Sequence, residues 1–89
     1  MKLKPTFLLR KIAGQTVVLP TSAELDLNMM ITLNESGAFL WKLATEMEEI
    51  DPNKLSAELA REYEISEDVA KADTERFVKS LVDNGLTEE

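Results

Sequence analysis

Met29-Met30-Ile31-Thr32-Leu33-Asn34-Glu35-Ser36-Gly37-Ala38-Phe39-Leu40-Trp41 is the stretch in which one hydrophobic period hands over to another. Up to Leu33 the pattern alternates, so that Met29, Ile31 and Leu33 share one face of a strand and Met30 and Thr32 the other. From Asn34 the spacing becomes helical: Gly37, Leu40, Trp41, Ala44 and Met47 recur along one face, with Phe39 and Leu43 beside them. Asn34 suits the cap between the two, because its side chain accepts a bond from a free backbone N–H, and Glu35 adds negative charge at the positive end of the helix dipole. A strand over about 29–33 therefore runs directly into a helix over about 35–47. Gly37 costs about 1 kcal/mol relative to alanine in a helix interior, which predicts a close approach of this helix to another backbone. Trp41 shares the Leu40–Ala44–Met47 stripe and is expected in the core.

On the amino-terminal side, Phe7-Leu8-Leu9-Arg10-Lys11-Ile12 and Thr16-Val17-Val18-Leu19 flank Ala13-Gly14 and read as a β-hairpin with strands over about 7–12 and 16–19. Pro20 to Glu24 reads as a loop, and Leu25 and Leu27 extend the inward face of the third strand backwards. On the carboxyl side, Asp51-Pro52 opens a helix over about 52–63 in which Leu55, Leu59 and Tyr63 recur every four residues. Ser66, with Glu67 and Asp68 behind it, opens another over about 67–84, striped by Ala70, Thr74, Phe77, Val78 and Leu81. Asn84-Gly85 stops it; Leu86 is expected to fold back on the last turn and Thr87-Glu88-Glu89 to fray. Only Glu64-Ile65 joins these two helices, which predicts a steep helix–turn–helix corner plugged by Ile65. The expected architecture is one α+β domain over residues 1–89, winged helix-turn-helix-like, with three short antiparallel strands followed by three helices.

Composition narrows the function. The 89 residues contain no cysteine and no histidine, which excludes disulfides and thiolate metal sites and removes the usual general base. Glu46, Glu48, Glu49 and Asp51 cluster between the first two helices, but without the spacing of a calcium loop, and the glycines form no phosphate loop. No catalytic residue, metal or cofactor is expected, and the chain is read as a binding protein, not an enzyme. Neither a secretion signal nor a run of about 20 apolar residues is present, so a cytoplasmic location without membrane insertion is expected. Lys2, Lys4, Arg10 and Lys11 stand in the first 23 residues without an acidic side chain; from Glu24 onward 17 acidic residues face 6 basic ones. The net charge of −7 opposes binding to phosphate backbones. A three-stranded sheet this small keeps open edges, whose N–H and C=O groups can accept an extended peptide or another copy of the chain.

The run Leu33-Asn34-Glu35-Ser36-Gly37-Ala38-Phe39-Leu40-Trp41 resembles the Leu-Asn-x-x-(Gly/Ala)-x-x-(Ile/Leu)-Trp segment of the PqqD family, the pyrroloquinoline quinone biosynthesis protein D and its relatives. The resemblance takes in the hairpin Phe7–Leu19, Ile65-Ser66-Glu67-Asp68-Val69 and the terminal Phe77-Val78…Leu81…Gly85-Leu86, in the same order. It implies a precursor-peptide recognition domain that binds the leader segment of a ribosomally made peptide and delivers it to a modifying enzyme, often a radical SAM protein. It further implies that the leader adds as a strand beside Met29, Met30, Ile31, Thr32 and Leu33, with Val69, Ala72, Asp73, Arg76 and Lys79 on the groove side of the last helix. Leu33, Asn34, Gly37, Leu40 and Trp41 match the family signature and are read as architectural. The likeness is to the broader, free-standing PqqD-like set, which leaves the peptide product open. Two other readings stand beside this one. One is a helix–turn–helix nucleic-acid binder, although its recognition helix would set Lys71, Arg76 and Lys79 against Glu67, Asp68, Asp73, Glu75 and Asp83. The other is a structural subunit that self-associates, for example as a homodimer, through its sheet edge.

Overall fold

The computed structural model describes residues 1–21 and 30–88. In chain order the elements are β1 (Lys2–Leu3), β2 (Phe7–Ile12), β3 (Gln15–Pro20), β4 (Ile31–Leu33), α1 (Glu35–Thr45), α2 (Pro52–Tyr63), α3 (Glu67–Asp83) and β5 (Thr87–Glu88). The predicted winged α+β order of three antiparallel strands and three helices is present, with strand order β2-β3-β4. Predicted positions Leu25, Leu27 and Met29 lie outside the described residues.

The hairpin closes through Ala13 (φ 53°) and Gly14 (φ 81°), two left-handed residues in succession, which is what a two-residue type I′ turn requires. Phe7 pairs with Pro20 and Ile12 with Gln15, so β3 is longer than the pattern predicts and includes the proline assigned to a loop. The Thr21 N–H donates to the Thr6 carbonyl at 2.8 Å. Because bonding alternates along an antiparallel ladder, Gln15, Val17 and Leu19 also turn their backbone groups to β2, while Thr16, Val18 and Pro20 turn theirs to β4. Pro20 has no N–H to give. Among the described residues the β3–β4 ladder pairs Thr16 with Leu33, Val17 with Thr32 and Val18 with Ile31, and Met30, predicted within the strand, is not part of β4.

Asn34 caps α1 by accepting the Gly37 N–H at 2.7 Å, and the Ser36 hydroxyl donates to the same oxygen at 3.1 Å. A Cβ at Gly37 would stand 3.0 Å from the Asn34 Oδ1 and 3.4 Å from the Leu33 Cβ. The crowding predicted there therefore comes from the cap and strand side chains rather than from a second backbone. Helix α1 ends two residues earlier than predicted because Glu46 and Met47 bond back to Leu43 and Ala44, three residues away, which tightens the last turn. Asp51 caps α2 at the Asn53 and Lys54 N–H groups (3.0 and 3.3 Å), and Ser66 caps α3 at Val69 (3.3 Å). Between them Glu64 alone takes up the left-handed conformation (φ 52°), with half-buried Ile65 packed on the core.

At the end of α3, Asn84 is the cap rather than a helical residue. Leu86 donates to the Leu81 carbonyl and Gly85 to that of Val82, the paired bonds of a Schellman stop. Leu86 is thereby turned into the core at 1% exposure. The residues beyond it do not fray as predicted: Thr87 and Glu88 pair with Leu3 and Lys2, forming a second, two-stranded sheet. The Leu86 carbonyl holds the Lys4 N–H at 2.9 Å, and the Met1 carbonyl holds that of Ile50 at 2.7 Å. The hydrophobic core gathers Phe7, Val18, Leu40, Trp41, Ala44, Ile50, Leu55, Leu59, Ala70, Phe77, Leu81 and Leu86, joining sheet and helices in one apolar interior. Among the described residues no helix is long and apolar enough to cross a membrane.

Candidate functional site

β4 is paired on one side only. Ile31 and Leu33 stand opposite Val18 and Thr16 and direct their backbone groups inward to β3. By the same alternation Thr32 directs both its N–H and its C=O away from the sheet, where no described strand lies. Among the described residues this leaves an edge centred on Thr32.

Beside that edge runs an open groove of about 450 Å³, walled by β4 and the start of α1 on one side and by α3 on the other. Its floor is apolar: Leu33 and Leu40 from one wall, Phe77 from the other. Its rim is polar, with Asn34 and Ser36 facing Asp73, Arg76 and Ser80. Arg76 and Asp73 form an i,i+3 ion pair. Asp73 is half-buried and Arg76 largely exposed, so the guanidinium keeps water on one flank and the pair contributes little to stability. Backbone donors, an apolar floor and a charged rim suit an extended peptide.

The predicted residues divide. Thr32, Leu33, Asp73 and Arg76 meet at this groove. Ile31 is the inward member of β4, packed on the core, and Met30 is exposed just before it. Val69 is exposed one turn before Asp73 on the same side of α3. Ala72 and Lys79 are also exposed and share the stripe of Arg76, on its side away from Asp73 and Phe77, without lining the groove; Lys79 bonds Asp83 at 2.8 Å, and that carboxylate holds its ammonium above the ordinary lysine value. Of the signature residues, Trp41 is buried away from the groove, whereas Leu33, Asn34, Gly37 and Leu40 line it while also forming the strand–helix junction. Ser36, Phe77 and Ser80 line it too and were not predicted. The signal for two of them was the 73–76/77–80 spacing along α3, which the core stripe through Phe77 obscured.

The sequence profile described as "Coenzyme PQQ synthesis protein D (PqqD)" matches residues 15–86, from the start of β3 to the Schellman stop. The chain belongs to the PqqD family. The matched residues contain β4, α1 and α3, hence every wall of the groove, and leave β1 and β2 outside. No functionally curated protein sequence matches this PqqD-family chain. Two solved structures share its fold. One is described as TbiB1 in complex with the TbiA(beta) leader peptide: TM-score 0.72 and 20% identity, covering 99% of this chain and 95% of that one. The other is described as lasso peptide synthetase B1 complexed with the leader peptide: TM-score 0.71 and 22% identity, covering 99% and 96%.

Proposed function

We propose that this chain binds the leader segment of a ribosomally made precursor peptide and presents it to a separate modifying enzyme, without performing chemistry itself. The observation that carries this reading is the one-sided pairing of β4 above an apolar groove. Family membership supports it, as does a fold shared with two proteins whose structures hold leader peptides. The leader enters antiparallel to β4, exchanges backbone bonds with Thr32 and lays alternate side chains between Leu33, Leu40 and Phe77. Met30 and Val69 extend that track; Asp73 and Arg76 select charge at its rim. Ordering a flexible leader opposes binding, so the apolar floor must supply much of the affinity. Once bound, the leader raises the effective concentration of its downstream segment at the enzyme. A radical SAM protein is the enzyme class that the family suggests, and a cytoplasmic setting accords with such a partnership.

Calorimetry against precursor peptides encoded beside the gene tests this, with chemical-shift mapping of the complex. Shifts centred on Thr32, Leu33, Arg76 and Ser80 are expected. Binding that leaves those residues unmoved sinks the proposal. The same edge offers its bonds equally to a second copy, so light scattering with and without leader belongs beside the calorimetry: a dimer that leader dissolves places both ligands on β4.

A further inference from the structure

On the other flank of α1 lies a surface of opposite character. Arg10 and Lys11 of β2 and Lys42 of α1 line one concavity with Leu9, Thr16 and Ala38. Lys11, Thr16, Ala38 and Lys42 continue from there into a larger one of about 680 Å³, closed by Phe39 and Tyr63. Those two rings meet edge to face at 5.7 Å. All three cations are exposed. Among the described residues none of the three has a carboxylate within ion-pair distance, whereas Lys2, Arg61, Arg76 and Lys79 are each paired; Lys4, Lys54 and Lys71 also lack an ion pair but do not line either concavity. Glu35 is the one acidic residue in either lining, beside Tyr63 and away from the smaller concavity. A protein of net charge −7 thus gathers three cations on one hairpin–helix face, of which Arg10 also donates to the Leu9 carbonyl at 2.9 Å.

We infer that this face docks an acidic protein surface, that of the enzyme to which the leader is presented. The inference rests on the presenter reading above: a carrier must touch its enzyme with a surface that its cargo leaves uncovered. The smaller concavity, which holds all three cations, shares no residue with the β4–α3 groove, whereas the larger one meets that groove at Thr32 and Leu33. A carboxylate-bearing protein fits better than a phosphate polymer. At physiological salt, charges more than about 8 Å away are largely screened, so a compact acidic patch feels mainly these cations. A long polyanion would also run over the acidic remainder of the chain, and its affinity depends on many cationic contacts.

The test is an NMR titration of the whole chain with poly-L-glutamate as the probe, in parallel with duplex DNA and phosphatidylglycerol vesicles. Poly-L-glutamate should shift Arg10, Lys11, Thr16, Ala38 and Lys42 while leaving Phe77 and Ser80, on the α3 wall of the groove, in place. The response should weaken several-fold as salt rises from about 0.01 to 0.15 M and the Debye length falls from about 30 to 8 Å. Arg10→Glu, Lys11→Glu and Lys42→Glu together should abolish it, and the corresponding glutamine set should weaken it by an intermediate amount. Circular dichroism confirms that each variant is folded. The inference is overturned if poly-L-glutamate leaves the patch unmoved, if a folded charge-reversed chain responds like the wild type, or if DNA or vesicles bind there as well or better. Leader calorimetry on the charge-reversed chain separates the two readings. Unchanged leader binding with lost poly-L-glutamate response supports two independent faces; a patch that responds in a chain that binds no leader leaves the acidic docking face standing and removes the presenter reading.

Discussion

The three-stranded sheet has two outer edges, and the longer is not the candidate binding edge. β2 exposes six residues, Phe7–Ile12, against three in β4. By ladder alternation β2 directs the backbone groups of Leu9 and Lys11 outward just as β4 directs those of Thr32. The difference lies in the company each keeps. Beside β4 stand α3 and a floor of core residues. β2 carries Arg10 and Lys11, the charged side chains that protect free edges against unwanted pairing. An open ladder becomes a binding site only where a second wall can take side chains.

The largest expected effect tests whether the β4 floor is also core. Leu40→Ala should lower unfolding free energy by about 2–5 kcal/mol in urea titration, because Leu40 is 1% exposed. Ile12→Ala at the β2 edge, where the side chain is 49% exposed, should change it by no more than about 0.5 kcal/mol. Comparable losses at both sites would break the distinction. Next comes the backbone. Thr32→Pro removes an outward N–H without touching the β3–β4 bonds and should weaken leader binding about tenfold or more by calorimetry, the equivalent of one lost bond of about 1–3 kcal/mol. Lys11→Pro, the same operation at β2, should leave leader affinity unchanged.

A smaller effect should appear behind the α3 wall. The Thr74 hydroxyl is buried, at 1% exposure for the residue, and its oxygen has no hydrogen-bond partner in the structure. Thr74→Val should therefore raise stability by about 1 kcal/mol, read as an upward shift of the thermal midpoint, with leader affinity unaltered. The smallest effect concerns Tyr63, beside the hairpin face. Partial burial, and then the carboxylates of Glu35 and Glu62, hold its phenol above the ordinary value near 10. The native state keeps that proton when the unfolded chain has begun to lose it. The resulting stabilisation is complete below about pH 10 and disappears as pH rises through the folded value. The unfolding free energy between pH 9 and 11, expressed relative to neutral pH, should fall more steeply for the wild type than for Tyr63→Phe.

Local chemistry made most of the fold legible. Asn34, Asp51 and Ser66 cap helices at positions that side-chain type and the following pattern reveal, and those contacts span two or three residues. The clasp between Lys2–Leu3 and Thr87–Glu88 was not legible: two-residue strands carry no period, and their partners sit at opposite ends of the chain. Which residue of β4 turns its backbone outward was not legible either, since it depends on the register with β3. At the groove, Asp73 and Arg76 stood out as polar residues beside an apolar stripe. Phe77, at 7% exposure, was assigned wholly to the interior, although one edge of a buried ring can still floor a groove. Ala72 and Lys79 flank Arg76 on α3 and stand just outside the lining.

The brevity of β4 has a kinetic consequence. Among the described residues Thr32 alone in β4 offers both outward backbone groups, and an added strand held there has few bonds to break before it leaves. A micromolar complex forming at about 10⁶ M⁻¹s⁻¹ has a residence time of about one second. Cargo held so briefly can be released and replaced after each encounter, and a carrier present in small amounts can service a larger pool of peptide.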